Sequence, residues 1–347
     1  MSRVRFAVVV LVLLVGCGPS SPPALAWHWS AADLPADLAT PPDASLNRPV
    51  FDFFGIAGVD GDLWVTTSKA STLLHSSDGQ HWSAVHLPLD HGPFACASVA
   101  YSPDTHQVLV GGTRERLALY DGARWTFESL PHFPNDRPGG FVDVVDVAWS
   151  QGHWVAVGFE QGGFYVRDAG GVWTRRPVPS ATPVLPDNVW SSGALALLAA
   201  TPMTADKAPI IFVSHAPDVW APQTLPEQGF VQCMAGSSAR DVWLVGTRNA
   251  MFGHGGLLFH YDGATFLDDS SEWDLPLQSI AAPSPRLAVA VGDQGTVRVW
   301  TGARWSPVTA PSRRRLRDVL VTATRRVYVV GNEGTIFRSD DLRNTPR

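Results

Sequence analysis

Lysine is nearly missing from this 347-residue chain: only Lys69 and Lys207 occur. Charged residues of all kinds make up 17%, and the formal net charge is −6. Such a chain lacks the basic field that general nucleic-acid binding demands, so no nucleic-acid partner is expected. Cysteine is scarce too, with three residues, too few for a densely stapled disulfide scaffold. The longest apolar run, Phe6–Val15, is too short to span a bilayer as a helix. Gly-x-Ser-x-Gly, P-loop and His-Glu-x-x-His motifs are all absent, which removes the commonest signatures of hydrolase, nucleotidase and zinc-protease chemistry. What is present is 45% hydrophobic residues, 31 glycines, 28 prolines and 14 tryptophans, the material of one large, turn-rich all-β domain.

The first residues read as a targeting signal. Arg3 and Arg5 precede the apolar run, whose length suits the central region of a signal peptide. Leu14-Val15-Gly16-Cys17 follows, and this resembles the lipobox of bacterial lipoproteins. The resemblance implies that Cys17 carries a diacylglycerol thioether and becomes the mature N-terminus. Gly18, in place of an aspartate, implies by the same likeness the outer rather than the inner membrane of a bacterial envelope. The expected division is a signal peptide over 1–16, a lipidated cysteine with a Pro/Ser-rich tether over 17–26, and one domain over 27–347.

That domain is repetitive. Tryptophan followed six positions later by proline occurs at Trp29–Pro35, Trp82–Pro88, Trp125–Pro131, Trp173–Pro179, Trp220–Pro226 and Trp305–Pro311. A divergent copy carries Phe266 instead. Each unit also has a strand-like run ending in small residues, such as LWVTT, VLVGG and WVAVG, and a second such as TLLHS or GFYVR. There are seven of each, and an apolar segment such as VDVAWS precedes each first run. Four strands per unit make a propeller blade, so the expected fold is an all-β, seven-bladed β-propeller. The last unit ends without its Trp–Pro strand, while the mature N-terminus holds an orphan copy. The N-terminal strand is therefore expected to complete the last blade, close the ring and remove an exposed sheet edge, and the protein is expected to be a monomer. Cys96 and Cys233 fall in different blades and read as buried thiols.

The turn Ser77-Asp78-Gly79 with Trp82 resembles the Asp-box of sialidase-type propellers, and the whole repeat is similar to the WD40/YVTN/BNR group. In that group the motif is structural and lies away from the usual ligand face. Aligning the first strands of the blades gives a small or polar column: Gly55, Ser98, Asp146, Asn188, Gln232, Ser279 and Asp318. First strands line the channel of a propeller. Two readings stand: a solvated channel wall, or a set in which Asp146, Asn188, Gln232 and Asp318 hold a cation or sugar hydroxyls. Longer connections at 132–140, 201–209 and 247–256 add Asp136, Arg137, Lys207, Arg248, Asn249, Phe252 and His254 as candidates on one face. Asp268, Asp269, Glu272 and Asp274 form an oxygen-rich cluster of the kind calcium takes, without EF-hand spacing. Arg313, Arg314, Arg315 and Arg317 make a basic patch suited to an anionic surface, or a solvated loop.

Sialidase-like catalysis implies an arginine triad, an Arg-Ile-Pro motif and a Tyr–Glu pair. Arg-Ile-Pro is absent, glutamate is sparse, and Tyr120, Tyr165 and Tyr261 fall on third strands. The expected function is thus non-catalytic: a membrane-tethered binding or assembly module for a protein or glycan, with no cofactor unless calcium. The alternatives are a sialidase-like glycoside hydrolase or lyase, and a scaffold resembling the propeller assembly factors of photosynthetic membranes, which bind a partner protein.

Overall fold

Each repeat folds into one antiparallel sheet of four strands, a to d. In blade 2 these are Cys96–Ser102, Gln107–Gly112, Arg116–Tyr120 and Trp125–Ser129, hydrogen-bonded in that order. The computed structural model describes residues 24–36, 38, 51–88, 92–131, 143–150, 152–158, 162–192, 195–203, 208–216, 219–248, 255–270 and 275–344, and these form seven such sheets. Strand b is apolar on both faces because a neighbouring blade covers each face; in Val327–Gly331 every residue is buried. Strand d is the outer edge and is half-buried to exposed, as in Trp125–Ser129.

The tryptophan-to-proline spacing has a mechanical cause. The aromatic opens strand d and packs between blades, while the residue before proline makes the strand's last hydrogen bond. Leu87, Leu130 and Leu225 are buried there, and their N–H groups donate to Ser71 O, Glu115 O and Pro209 O at 2.8, 2.7 and 3.0 Å. Proline then has no N–H to offer, so the outer edge stops. The Asp-box turn is structural as expected. Asp78 Oδ1 accepts the N–H groups of Gln80 (2.7 Å) and His81 (2.8 Å). Gly79 takes φ +74°, and a Cβ there meets the Tyr328 ring. Asp121 and Asp262 cap their degenerate turns in the same way.

Seven hydrophobic clusters lie between adjacent blades rather than within them. Trp64 of blade 1 meets Trp125 and Tyr120 of blade 2 at 5.5 and 5.3 Å between ring centroids. Trp243 of blade 5 meets Trp305 of blade 6 at 5.1 Å. In blade 3 the equivalent strand-b position holds the smaller Val155, and a crevice of about 260 Å³ remains beside it, between blades 3 and 4. Cys96 and Cys233 are free thiols, and burial pushes both up to about 12.

Closure follows the expected arithmetic. Ser30–Ala31 pairs with Arg338 and Phe337 as strand d of blade 7. The same segment also bonds blade 6, through Leu25 N to Pro307 O (2.8 Å) and Trp29 Nε1 to Thr309 O (2.8 Å). On its other side Asp33 N donates to Gln80 O (2.8 Å), and Asp33 O accepts from Trp82 N (3.0 Å) in blade 1. Removing residues 24–36 is expected to cost about 3 kcal/mol or more, as large aromatic truncations do, and to expose a strand edge that promotes aggregation. Thermal unfolding with light scattering checks this; unchanged melting would sink the closure role.

Candidate functional site

The d–a and b–c connections lie at the end of the ring where each strand a begins. Just inside that end, strand a of every blade departs from regular pairing. Phe54, Ala97, Val145, Asp187, Gln232, Gln278 and Arg317 are each an extra residue opposite a regular strand b. Such a bulge re-aims side chains. All seven line one cavity of about 480 Å³ on the ring axis. They divide by chemistry into an apolar arc from blades 1 to 3 and a polar arc from blades 4 to 7. Phe230, exposed despite its size, stands beside the polar arc.

Beneath this rim lies the polar column expected from the sequence, with one correction. Gln232 is the bulged residue of blade 5, so Cys233 occupies the column and Met234 takes the buried position beside it. A bulge breaks period-two alternation, and alternation alone had paired the polar Gln232 with Asp146. The column is Gly55, Ser98, Asp146, Asn188, Cys233, Ser279 and Asp318.

Its two carboxylates tie blades together. Asp146 Oδ1 accepts from Ser98 Oγ of blade 2 (3.1 Å) and from Val147 N (2.9 Å). Its Oδ2 accepts from Asn188 Nδ2 (2.9 Å) and Val189 N (3.0 Å) of blade 4. Asp318 accepts from Ser279 Oγ of blade 6, Ile56 N of blade 1 (2.7 Å) and Val319 N (2.8 Å). These contacts make Asp146 and Asp318 bridges between blades, beyond a solvated wall. Burial pushes Asp146 up to about 7 and Asp318 up to about 6, against the opposing pull of these hydrogen bonds. Asp187, bonded to Thr201 Oγ1, is pushed by burial up to about 6.

The other candidates separate. Asp136, Arg137, Lys207, Asn249, Phe252, His254, Glu272 and Asp274 lie outside the described residues, as does Cys17. Arg248 ends strand b of blade 5 and donates to Ser270 O. Asp268 accepts the Ser270 N–H at 2.8 Å, and Asp269 N donates to Leu258 O at 3.0 Å. Among the described residues no three His, Cys, Asp or Glu side chains converge as a metal site. Three of the four patch arginines are paired: Arg314 with Glu333, Arg315 with Asp293 and Arg317 with Asp52. Sequence reasoning named Gln232 for the column and Arg317 for the basic patch, and missed the other five rim positions because a bulge has no compositional signature.

No protein-family model matches the chain, and no curated protein does. Solved structures define the class, a seven-bladed β-propeller. YCF48 bound to D1 peptide is 18% identical, with TM-score 0.64 over 92% of this chain and 99% of that one. A catalytically inactive virginiamycin B lyase from Staphylococcus aureus with quinupristin is 11% identical, with TM-score 0.67 over 90% and 99%. The WD40 propeller domain of Doa1 is 16% identical, with TM-score 0.60 over 83% and 92%. At these identities the likeness is one of fold.

The raised carboxyls have a pH signature. Their folded values lie above the ordinary 3.8, so the folded state holds these protons more tightly than the unfolded chain. The stability they confer is complete below that value and is lost as pH rises through 6 to 7. Denaturant titrations between pH 4 and 8 are expected to show the decline, and Asp146→Asn to flatten it. A decline of equal steepness in the variant assigns it to other groups.

Proposed function

We propose that this propeller is a non-catalytic binding module that grips a segment of a partner protein at the channel mouth, while a lipid on Cys17 tethers it in a bacterial envelope. The two-sided rim carries this reading. An apolar arc facing a polar arc matches an amphipathic stretch of chain better than a uniformly polar glycan. That YCF48 is solved with a bound peptide is in keeping with a protein ligand. The tether agrees with the direction of the chain. Strand d runs toward the d–a end, so Leu25 sits at the opposite end, among the a–b and c–d turns at Ser284, Gly302 and Thr322. An anchored N-terminus then leaves the mouth facing away from the membrane.

A second reading has one observation in its favour. Asp187, at the mouth with its carboxyl near 6, is suited to proton transfer, as a glycoside hydrolase or lyase requires.

A displayed peptide library against the purified mature chain, with a glycan array and glycosidase and lyase assays alongside, separates the two. Selected peptides are expected to lose at least about tenfold in affinity on Phe54→Ala or Phe230→Ala, the scale of a modest hot spot. Substrate turnover abolished by Asp187→Asn, without peptide selection, overturns the binding reading. For the anchor, Cys17→Ser is expected to move the protein from the detergent phase to the aqueous phase on Triton X-114 partitioning. Retention in the detergent phase would falsify lipidation at that residue.

A further inference from the structure

The interface of blades 3 and 4 is short of aromatic rings. Between blades 1 and 2, Trp64 lies on His75 at 4.4 Å between centroids, and Tyr120 and Trp125 complete the wedge. Between blades 5 and 6, Trp243, His260, Trp300 and Trp305 repeat that arrangement, with the first pair at 4.3 Å. Strand pairing fixes the equivalent positions between blades 3 and 4. Trp64 and Trp243 pair with Ala57 and Ala235 on strand a and with the two histidines on strand c, where Val155 pairs with Ala148 and Val166. Tyr120 and Trp300 pair with the repeat tryptophans Trp125 and Trp305, where Ser214 pairs with Trp220. Only the repeat tryptophan is kept. Val155, Val166 and Ser214 stand in for the other rings, and all three line the crevice of about 260 Å³ beside Trp220.

This space is open to solvent and large enough for a ring. His153, Arg176 and Ala216 at its mouth are exposed, and Val155 at its floor keeps 6% of its surface accessible. A smaller apolar cavity, of about 150 Å³, takes a benzene ring. Phe164 and Trp220, edge to face at 5.3 Å, give it an aromatic wall. The molecule itself shows how such a gap is filled. Between blades 6 and 7 the same two positions hold Val289 and Val299. There Trp27, from the segment ahead of strand d, packs against their cluster and lines the adjoining pocket with Val299. An indole carried in by a separate stretch of chain thus covers a valine-lined wedge. Between blades 3 and 4 no described residue does so. The mouth adds a charge preference: Arg176 and the protonatable His153 line it, and no acidic residue does.

We propose that the crevice between blades 3 and 4 receives a tryptophan side chain of a partner polypeptide, beside an acidic residue of that partner at the Arg176 mouth. A flat ring slid between two blades is covered on both faces, as Trp64 and Trp243 are in their own wedges. Ser150 and His153 flank the a–b turn of blade 3, and Ala216 ends strand c of blade 4 at its c–d turn. The site therefore lies at the end of the ring away from the channel mouth and does not depend on the binding reading above.

The test uses the mature chain and the peptide acetyl-Glu-Trp-Ala-amide, read by saturation-transfer NMR on the indole protons of the peptide. Saturable binding is expected, at least about tenfold tighter than that of acetyl-Glu-Leu-Ala-amide. It is expected to be about threefold tighter than that of acetyl-Lys-Trp-Ala-amide, the scale of an exposed ion pair. Val155→Trp restores the ring that blades 1 and 5 carry, and is expected to raise the melting temperature and abolish peptide binding. If that variant does not fold, Ser214→Tyr, which copies Tyr120, takes its place, and the wild-type peptide series decides by itself. Phe54→Ala at the channel mouth is expected to leave this binding unchanged; its loss there moves the peptide to the mouth and overturns the proposal. Equal binding of the leucine or the lysine peptide, binding that survives the filled crevice, or no binding at all each overturn it. So does free indole that binds while the peptide is excluded, which makes the crevice a small-molecule site.

Discussion

The contact on which the molecule depends is the face-to-face packing of one blade on the next. A four-stranded sheet whose second strand is apolar on both sides cannot fold alone, because either face left open is a hydrophobic surface in water. Stacking covers one face at each step but always leaves the two ends of the stack bare. Only a ring removes both ends. The seven clusters are therefore shared between blades, and none belongs to a single sheet. This is also why tryptophan is abundant: a wide, flat side chain fills the wedge that opens between blades toward the outside of the ring.

The same geometry crowds the axis. Seven first strands converge there, and large side chains on all of them would collide. The column below the rim accordingly uses Gly55, Ser98, Cys233 and Ser279 alongside Asp146, Asn188 and Asp318. Those three use their side chains to bond the backbone or side chain of a neighbouring blade. The bulge above each column residue turns one further side chain into the opening. Structural need and binding capacity are thus separated by a single residue along the chain.

That separation explains what was legible beforehand. The blade count, the strand order and the N-terminal closure were all readable, because the tryptophan, the turn and the proline punctuate every unit. Asp146, Asn188 and Asp318 were readable as a column because polar residues interrupt apolar strands there. The rim was not. Ala97 and Val145 look like ordinary strand residues, and only the pairing with strand b shows that they are supernumerary. Gln232 illustrates the failure most directly: its polarity suggested the column, and a one-residue offset put Cys233 there instead.

The N-terminal segment also determines how the ring bears mechanical load. A single edge strand pulled from one end peels open bond by bond, like a zipper, at low force. Here the first described residues are bonded to blade 6 before the chain reaches blade 7, and to blade 1 after it. A pull on that end is resisted first by the bonds of Leu25 and Trp29 to blade 6, and the short strand in blade 7 is shielded behind them. Tension applied at the N-terminus is thereby spread over three blades, and the seam where the circle was joined is also where it is braced.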